Sequence, residues 1–200
     1  FQSRPRCYVT CNLYIPHNLR GQAPAVLFLE GHTDEGKAFA AYQYAAQAFC
    51  HAGFVTLVMD AIGQGERFEH YEEAADTQVF AGCSAEHHLL DAKCKLLGES
   101  LARYFLHDAL RALDYLAARP EVNPAQIAAT GNSGGGTQTA RLMLAAPERL
   151  AAAILCSYVT DEEAMMVAGK DPDNEMVWPH SLQDGIDYAD ILLMMAPKPV

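Results

Sequence analysis

The stretch Gln126-Ile127-Ala128-Ala129-Thr130-Gly131-Asn132-Ser133-Gly134-Gly135-Gly136 restricts what this chain can fold into more than any other. A short apolar strand runs into a glycine-rich corner, and a helix-compatible segment, 137–145, follows it. The corner reads Gly131-Asn132-Ser133-Gly134-Gly135 and fits G-x-S-x-G, the nucleophile-elbow pattern. A serine on a sharp strand-to-helix turn sits in a strained backbone conformation, and flanking side chains would collide there, so glycines take those places. The turn lifts the hydroxyl above the sheet edge, where the next helix directs its first N–H groups and the positive end of its dipole. G-x-S-x-G also arises by chance in glycine-rich turns, and the strand before it and the helix after it are the context that gives it meaning.

Around this corner the chain alternates strand and helix signals. Residues 6–15 read as an extended segment. The runs 24–29 and 54–59 are continuously apolar, as suits parallel strands covered on both faces. A helix is expected over 39–51, stopped by Gly53. A second is expected over 100–118, with Leu101, Phe105, Ala109, Leu113 and Leu116 at helical spacing. Between them, 68–95 is irregular and rich in acids and histidines, and reads as a surface excursion with short helical pieces. After the corner come an apolar strand at 150–157, loop and helix over 158–169, a turn at 171–173, a helix over 186–195 and the start of a further strand at 198–200. This order implies a mostly parallel sheet with right-handed crossovers. The 200 residues suffice for one sizeable core, and no linker divides them.

Charge excludes some partners. A net charge of -11 and a pI near 5.0 argue against nucleic acid and anionic membrane surfaces, and no apolar run is long enough to span a membrane. The six cysteines form no C-x-x-C pair, and Cys156, in an apolar run, is expected to be a small buried hydrophobe. No cofactor and no metal is expected: His87-His88 could bind a metal, but no third ligand is spaced to help.

A serine that attacks an acyl group needs oxyanion donors, a base and a group that orients the base. The donors can be placed: the backbone N–H of Gly134, and by position the N–H of His32 in the loop after the 24–29 strand. The base is harder. Of eight histidines only His180 follows Ser133, and it is not placed after a final strand, while His107 belongs to a helix face. Asp161, Glu162 and Glu163 stand where an acid can stand, but a solvated helix N-terminus explains them equally. A rival motif, Gly31-His32-Thr33-Asp34-Glu35-Gly36-Lys37, matches G-x-x-x-x-G-K. Ala38 replaces the metal-binding Ser or Thr, and Asp34 and Glu35 put negative charge where phosphates would sit.

Several segments together resemble the α/β-hydrolase superfamily, and within it the acetyl xylan esterase and cephalosporin deacetylase-like carbohydrate esterases. They are Leu13-Tyr14-Ile15-Pro16, the strand with Gly31-His32, Asp60 through Gly63-Gln64-Gly65-Glu66-Arg67, the corner Gly131 to Gly136, and Ala196-Pro197-Lys198-Pro199-Val200. The resemblance implies a three-layer α/β-hydrolase fold over 1–200, with Ser133 as nucleophile and His32 and Gly134 as backbone oxyanion donors. It implies a small-molecule or carbohydrate ester as substrate, acetyl foremost; the sequence does not fix the compartment, with a soluble, secreted or periplasmic setting favoured over a cytoplasmic one. It further implies that 196–200 opens the strand before the catalytic acid, and that acid and histidine fall beyond Val200. The chain, which begins at Phe1, is therefore expected to be a portion of a longer protein that lacks the C-terminal strands. A same-fold peptidase and a non-catalytic hydrolase-like binding domain are the alternatives.

Overall fold

Two uninterrupted apolar runs form the middle of the sheet. In the computed structural model, which describes residues 1–170, 173–177 and 179–200, these runs are β2 (Ala23–Leu29) and β3 (Val55–Met59). Every residue of β3 is buried, as β-branched and long aliphatic side chains demand in a strand covered on both sides. With β1 (Cys11–Tyr14), β4 (Val122–Asn132) and β5 (Ala152–Cys156) they make a five-stranded sheet of order β1-β3-β2-β4-β5. Only β1 runs antiparallel to its neighbour. The parallel register sets Leu29 opposite Gly131 and Asn132 opposite Cys156, so β2, β4 and β5 end together at one edge of the sheet.

Helices cover both faces, and strand alternation decides which side chain meets which layer. Phe28 and Val58 point to α1 (Ala40–His51) and pack on Tyr42 and Ala46. Leu27, Leu29, Leu57 and Met59 point the other way, onto α3 (Leu101–Ala117) and α4 (Gly134–Ala145). The five apolar positions expected on α3 are all buried. Each buried Leu or Phe among them stabilises the fold by about 1.5–3 kcal/mol relative to an exposed one. The result is the three-layer α/β architecture expected from the alternation of elements.

Three expectations need correction. The 68–95 stretch is more than a surface excursion: it contains α2 (Cys83–Leu96), a 14-residue helix. Its buried positions are Cys83, Glu86, His87 and Asp91, so no apolar periodicity marks it. Buried polar groups there bond the backbone instead: Asp91 Oδ1 accepts from Leu101 N at 2.9 Å, and His87 Nε2 meets Ile62 O at 2.7 Å. Cys156 is exposed, because β5 is the edge strand and Ile154 beside it is half-exposed too. Residues 198–200 form no strand, although Ala153 N donates to Pro199 O at 3.1 Å beside β5. Of the turn expected at 171–173, residues 171 and 172 lie outside the described residues. The C-terminal part adds α5 (Glu162–Val167), α6 (Ser181–Asp184) and α7 (Tyr188–Leu193), whose Tyr188 and Ile191 are buried.

Candidate active site

The end of β4 and the start of α4 meet at Ser133, which has φ 54° and ψ -119°. A residue with a Cβ is strained there by about 1–3 kcal/mol, so surrounding contacts must hold it. They are backbone contacts. Ser133 N donates to Cys156 O at 2.8 Å, and Thr137 N donates to Ser133 O at 3.1 Å. The flanking glycines are required by space. A Cβ on Gly135 would lie 2.0 Å from Leu29 O, and one on Gly131 would lie 2.4 Å from the Gly135 carbonyl. The Ser133 side chain is half-buried at this corner.

The 31–32 loop lies directly against it. A Cβ on Gly31 would stand 2.4 Å from Asn132 O, and one on Gly134 would stand 2.8 Å from the His32 ring. Tyr42 and Gln64 fix the loop: Gly31 N donates to Tyr42 Oη at 3.0 Å, and Gln64 Nε2 donates to Gly31 O at 2.9 Å. Gln138 Nε2 on α4 donates to Glu30 O at 3.1 Å. The structure thus brings together Ser133, His32 and Gly134. Neither the His32 N–H nor the Gly134 N–H donates to any described residue. Two free amides beside a strained serine are what an oxyanion needs.

Electrostatics around the loop are unusual. Glu30 is buried; burial first and the Asp60 carboxylate second push its pKa up to about 9, against weaker pulls from Lys37, the Ala61 N–H and Arg67. His32 Nε2 lies 2.8 Å from Glu175 Oε1 and 3.2 Å from Asp173 Oδ2. Burial opposes charge on this ring, but the two carboxylates outweigh it and raise its pKa. Burial would likewise raise Glu175, yet contacts with His32 and His87 hold it well below the usual carboxylate range.

The other candidates lie elsewhere. His180 is exposed and its Nδ1 pairs with Gln183 Oε1 at 3.1 Å, while the neighbouring Trp178 lies outside the described residues. Asp161 caps α5 by accepting from Ala164 N at 2.7 Å, Glu162 accepts from Ser181 Oγ at 3.0 Å, and Glu163 is exposed in the same first turn. His107 Nε2 meets Ser3 O at 3.0 Å. Among the described residues no histidine ring is hydrogen-bonded to the Ser133 hydroxyl. Lys37 of the rival phosphate-loop motif is committed: its Nζ pairs with Asp60 and Glu66, and its backbone N donates to Asp60 Oδ1 at 2.8 Å. The Asp60-to-Arg67 segment is scaffolding for this edge, with Arg67 bonding Asp60 O at 2.9 Å and Asp108 Oδ2 at 2.7 Å. The roles of Tyr42, Gln64, His87 and Glu175 are absent from the sequence reading. Gln64 stands in a segment singled out there, and His87 is weighed there as a metal ligand and set aside for want of a third ligand.

Comparison with known proteins agrees with this architecture. A family model described as acetyl xylan esterase (AXE1) matches residues 1–170. A Bacillus subtilis (strain 168) protein, "Putative hydrolase YtaP", is 25% identical over 195 residues, 92% of this chain and 60% of that protein. A Bacteroides fragilis NCTC 9343 structure, described as "a putative acetyl xylan esterase", superposes with a TM-score of 0.82 at 16% identity, covering 100% of this chain and 56% of that one. Methylesterase BT1017 matches with a TM-score of 0.67 at 24% identity over 96% of this chain and 38% of its own. The chain spans well under two thirds of the length of each of these relatives. A strained Ser133 corner set against the 31–32 loop, the α/β-hydrolase architecture around it and the match over residues 1–170 lead to one assignment: the chain belongs to the acetyl xylan esterase (AXE1) family.

Proposed function

We propose that this chain is the nucleophile-bearing part of a carboxylic ester hydrolase that removes small acyl groups, acetyl foremost, from a carbohydrate or similar small ester. The observation that carries the proposal is the Ser133 backbone, φ 54°, held against two unpaired amides. In this reading Ser133 Oγ attacks the ester carbonyl carbon and its proton passes to a base. The carbonyl oxygen becomes an oxyanion that accepts hydrogen bonds from the His32 and Gly134 N–H groups. Collapse expels the alcohol and leaves an acyl-serine, which water hydrolyses by the same steps. One such donor is worth about 10²–10³ in rate. The base and its acid are proposed to come from sequence after Val200, which accords with a chain spanning 60% of YtaP. A secreted or periplasmic setting goes with a polysaccharide substrate.

The test is the full-length protein and its Ser133→Ala variant on an aryl acetate and an acetylated xylan. Turnover should fall by at least about 10⁴-fold in the variant. Unchanged turnover would eliminate Ser133 as nucleophile. Activity on aminoacyl anilides in place of esters would move the reading to a same-fold peptidase. The lack of a histidine on the Ser133 hydroxyl among the described residues also favours a second reading, a non-catalytic binding domain. That reading requires that a fluorophosphonate probe leave the intact protein unlabelled.

A further inference from the structure

His87 in α2 and Glu175 in the short turn Asn174–Met176 are both buried, and neither has a part in the ester chemistry. They meet His32 in one cluster. The nitrogen of each ring and the Glu175 carboxylate offer three donor atoms that all lie within 4.8 Å of one another. Ile62 O can only accept a hydrogen bond, so the 2.7 Å contact to His87 Nε2 places a proton on that nitrogen. The other ring nitrogen, Nδ1, faces Glu175 Oε2, 3.3 Å away. His87 Nδ1 and both Glu175 oxygens are buried without an aligned hydrogen-bond partner among the described residues. Buried donor atoms that converge without aligned partners are costly unless a proton or a cation stands between them.

We infer that His32, His87 and Glu175 form a binding site for one divalent transition-metal ion of the zinc type, with Asp173, beside His32 but outside the group of donors that lie within 4.8 Å of one another, as the nearest further carboxylate. The donor set fits. Two imidazoles and a carboxylate suit zinc and its neighbours, whereas calcium and magnesium take oxygen ligands. Tetrahedral bonds of about 2.0–2.1 Å put ligand atoms about 3.3 Å apart. The observed separations are 2.8 Å for His32 Nε2 to Glu175 Oε1, 3.2 Å for His32 Nε2 to Asp173 Oδ2, and 3.3 Å for His87 Nδ1 to the other Glu175 oxygen, Oε2. Two carboxylates balance the charge of a divalent ion. The carbonyl behind His87 is the outer partner that metal-bound histidines use to fix tautomer and ring orientation. Arg141 on α4 is the other cation in the field of Glu175, and its guanidinium lies in the same buried region. The ligands come from the loop after β2, from α2 and from the 173–175 segment, so the ion would tie three separate parts of the chain together beside Gly134. This inference does not depend on the role given to Ser133.

The experiment uses the full-length protein, stripped with a chelator and titrated with zinc in a calorimeter. The wild type should take up one equivalent with micromolar or tighter affinity. Glu175→Gln and His32→Asn should each weaken binding by about 100-fold or more, and Asp173→Asn by about tenfold. Cobalt in place of zinc should give the visible absorption of a four-coordinate ion, lost in Glu175→Gln. Circular dichroism of the stripped proteins checks that each variant is folded. If Glu175→Gln does not fold, His32→Asn, at the less buried of the two positions, decides. Absence of stoichiometric zinc binding by the wild type would overturn the inference. So would equal binding by the wild type and a folded ligand variant, which would mean that protons and Arg141 suffice to neutralise Glu175.

Discussion

Replacing Glu30 by glutamine should make the protein more stable at neutral and alkaline pH, and not at pH 4.5. Glu30 is 1% exposed at the end of β2, and its pKa is raised from 4.5 to about 9, first by burial and next by Asp60. The folded chain therefore holds a proton on Glu30 between about pH 4.5 and 9, where the unfolded chain has released it. Native protein binds more protons in that window, so stability falls as pH rises through it. The contribution is complete below pH 4.5 and is lost by pH 9. Each pH unit costs about 1.36 kcal/mol, so the cost of neutralising Glu30 at pH 7 is about 3 kcal/mol. Glutamine is neutral at every pH and has nearly the same shape, and apart from a weak pull from the Ala61 N–H neither Glu30 oxygen has an aligned hydrogen-bond partner among the described residues. An amide thus forfeits little that the protonated acid had. Urea unfolding of both proteins at pH 5, 6, 7 and 8 measures the difference, and all other titrating groups cancel. The variant should gain less than about 1 kcal/mol at pH 5 and about 3 at pH 7. Parallel stability profiles would refute the reasoning, because they would mean that Glu30 is ionised in the folded protein as it is in the unfolded one.

Other perturbations probe the corner and its scaffold. Ser133→Gly should be more stable than Ser133→Ala by about 1 kcal/mol, since only glycine adopts φ 54° without strain; equal urea midpoints would count against a strained corner. Gly135→Ala should cost more than about 3 kcal/mol, because its Cβ would meet the Leu29 carbonyl of a central strand at 2.0 Å; a melting temperature within about 2 °C of wild type would contradict the packing. Asp60→Asn should cost about 3 kcal/mol, because the buried carboxylate accepts from Thr10 Oγ1 at 2.6 Å, Lys37 N at 2.8 Å and Glu66 N at 3.3 Å while pairing with Lys37 Nζ. Chemical denaturation reads that loss directly.

What could be read in the sequence was what depends on neighbours along the chain. The β2 and β3 runs, the α3 spacing and the glycines around Ser133 each record a local demand: apolar cover on two faces, one buried stripe, or absent Cβ atoms. The glycine demand turns out to be tertiary as well. Gly135 is bare because Leu29 O is there, and Gly31 is bare because Asn132 O is there, so the 31–32 loop and the corner exclude each other's side chains. The sequence pairs these two motifs a hundred residues apart by position alone, through the loop that follows the 24–29 strand, and the structure supplies the mutual requirement. No comparable mark joins His87 to Glu175: the His87-His88 pair suggests a metal, but no third ligand is spaced along the chain to complete it. His87 reaches its partners only because α2 buries a polar face, and a polar face without apolar periodicity looks like a solvated one. Glu175 follows the acidic stretch Asp171-Pro172-Asp173, and nothing in the sequence sets it apart from those carboxylates. Its meaning comes from burial beside two imidazoles, which spacing along the chain does not encode. Sequence therefore discloses a site where a backbone constrains it, and conceals one where side chains from separate segments converge.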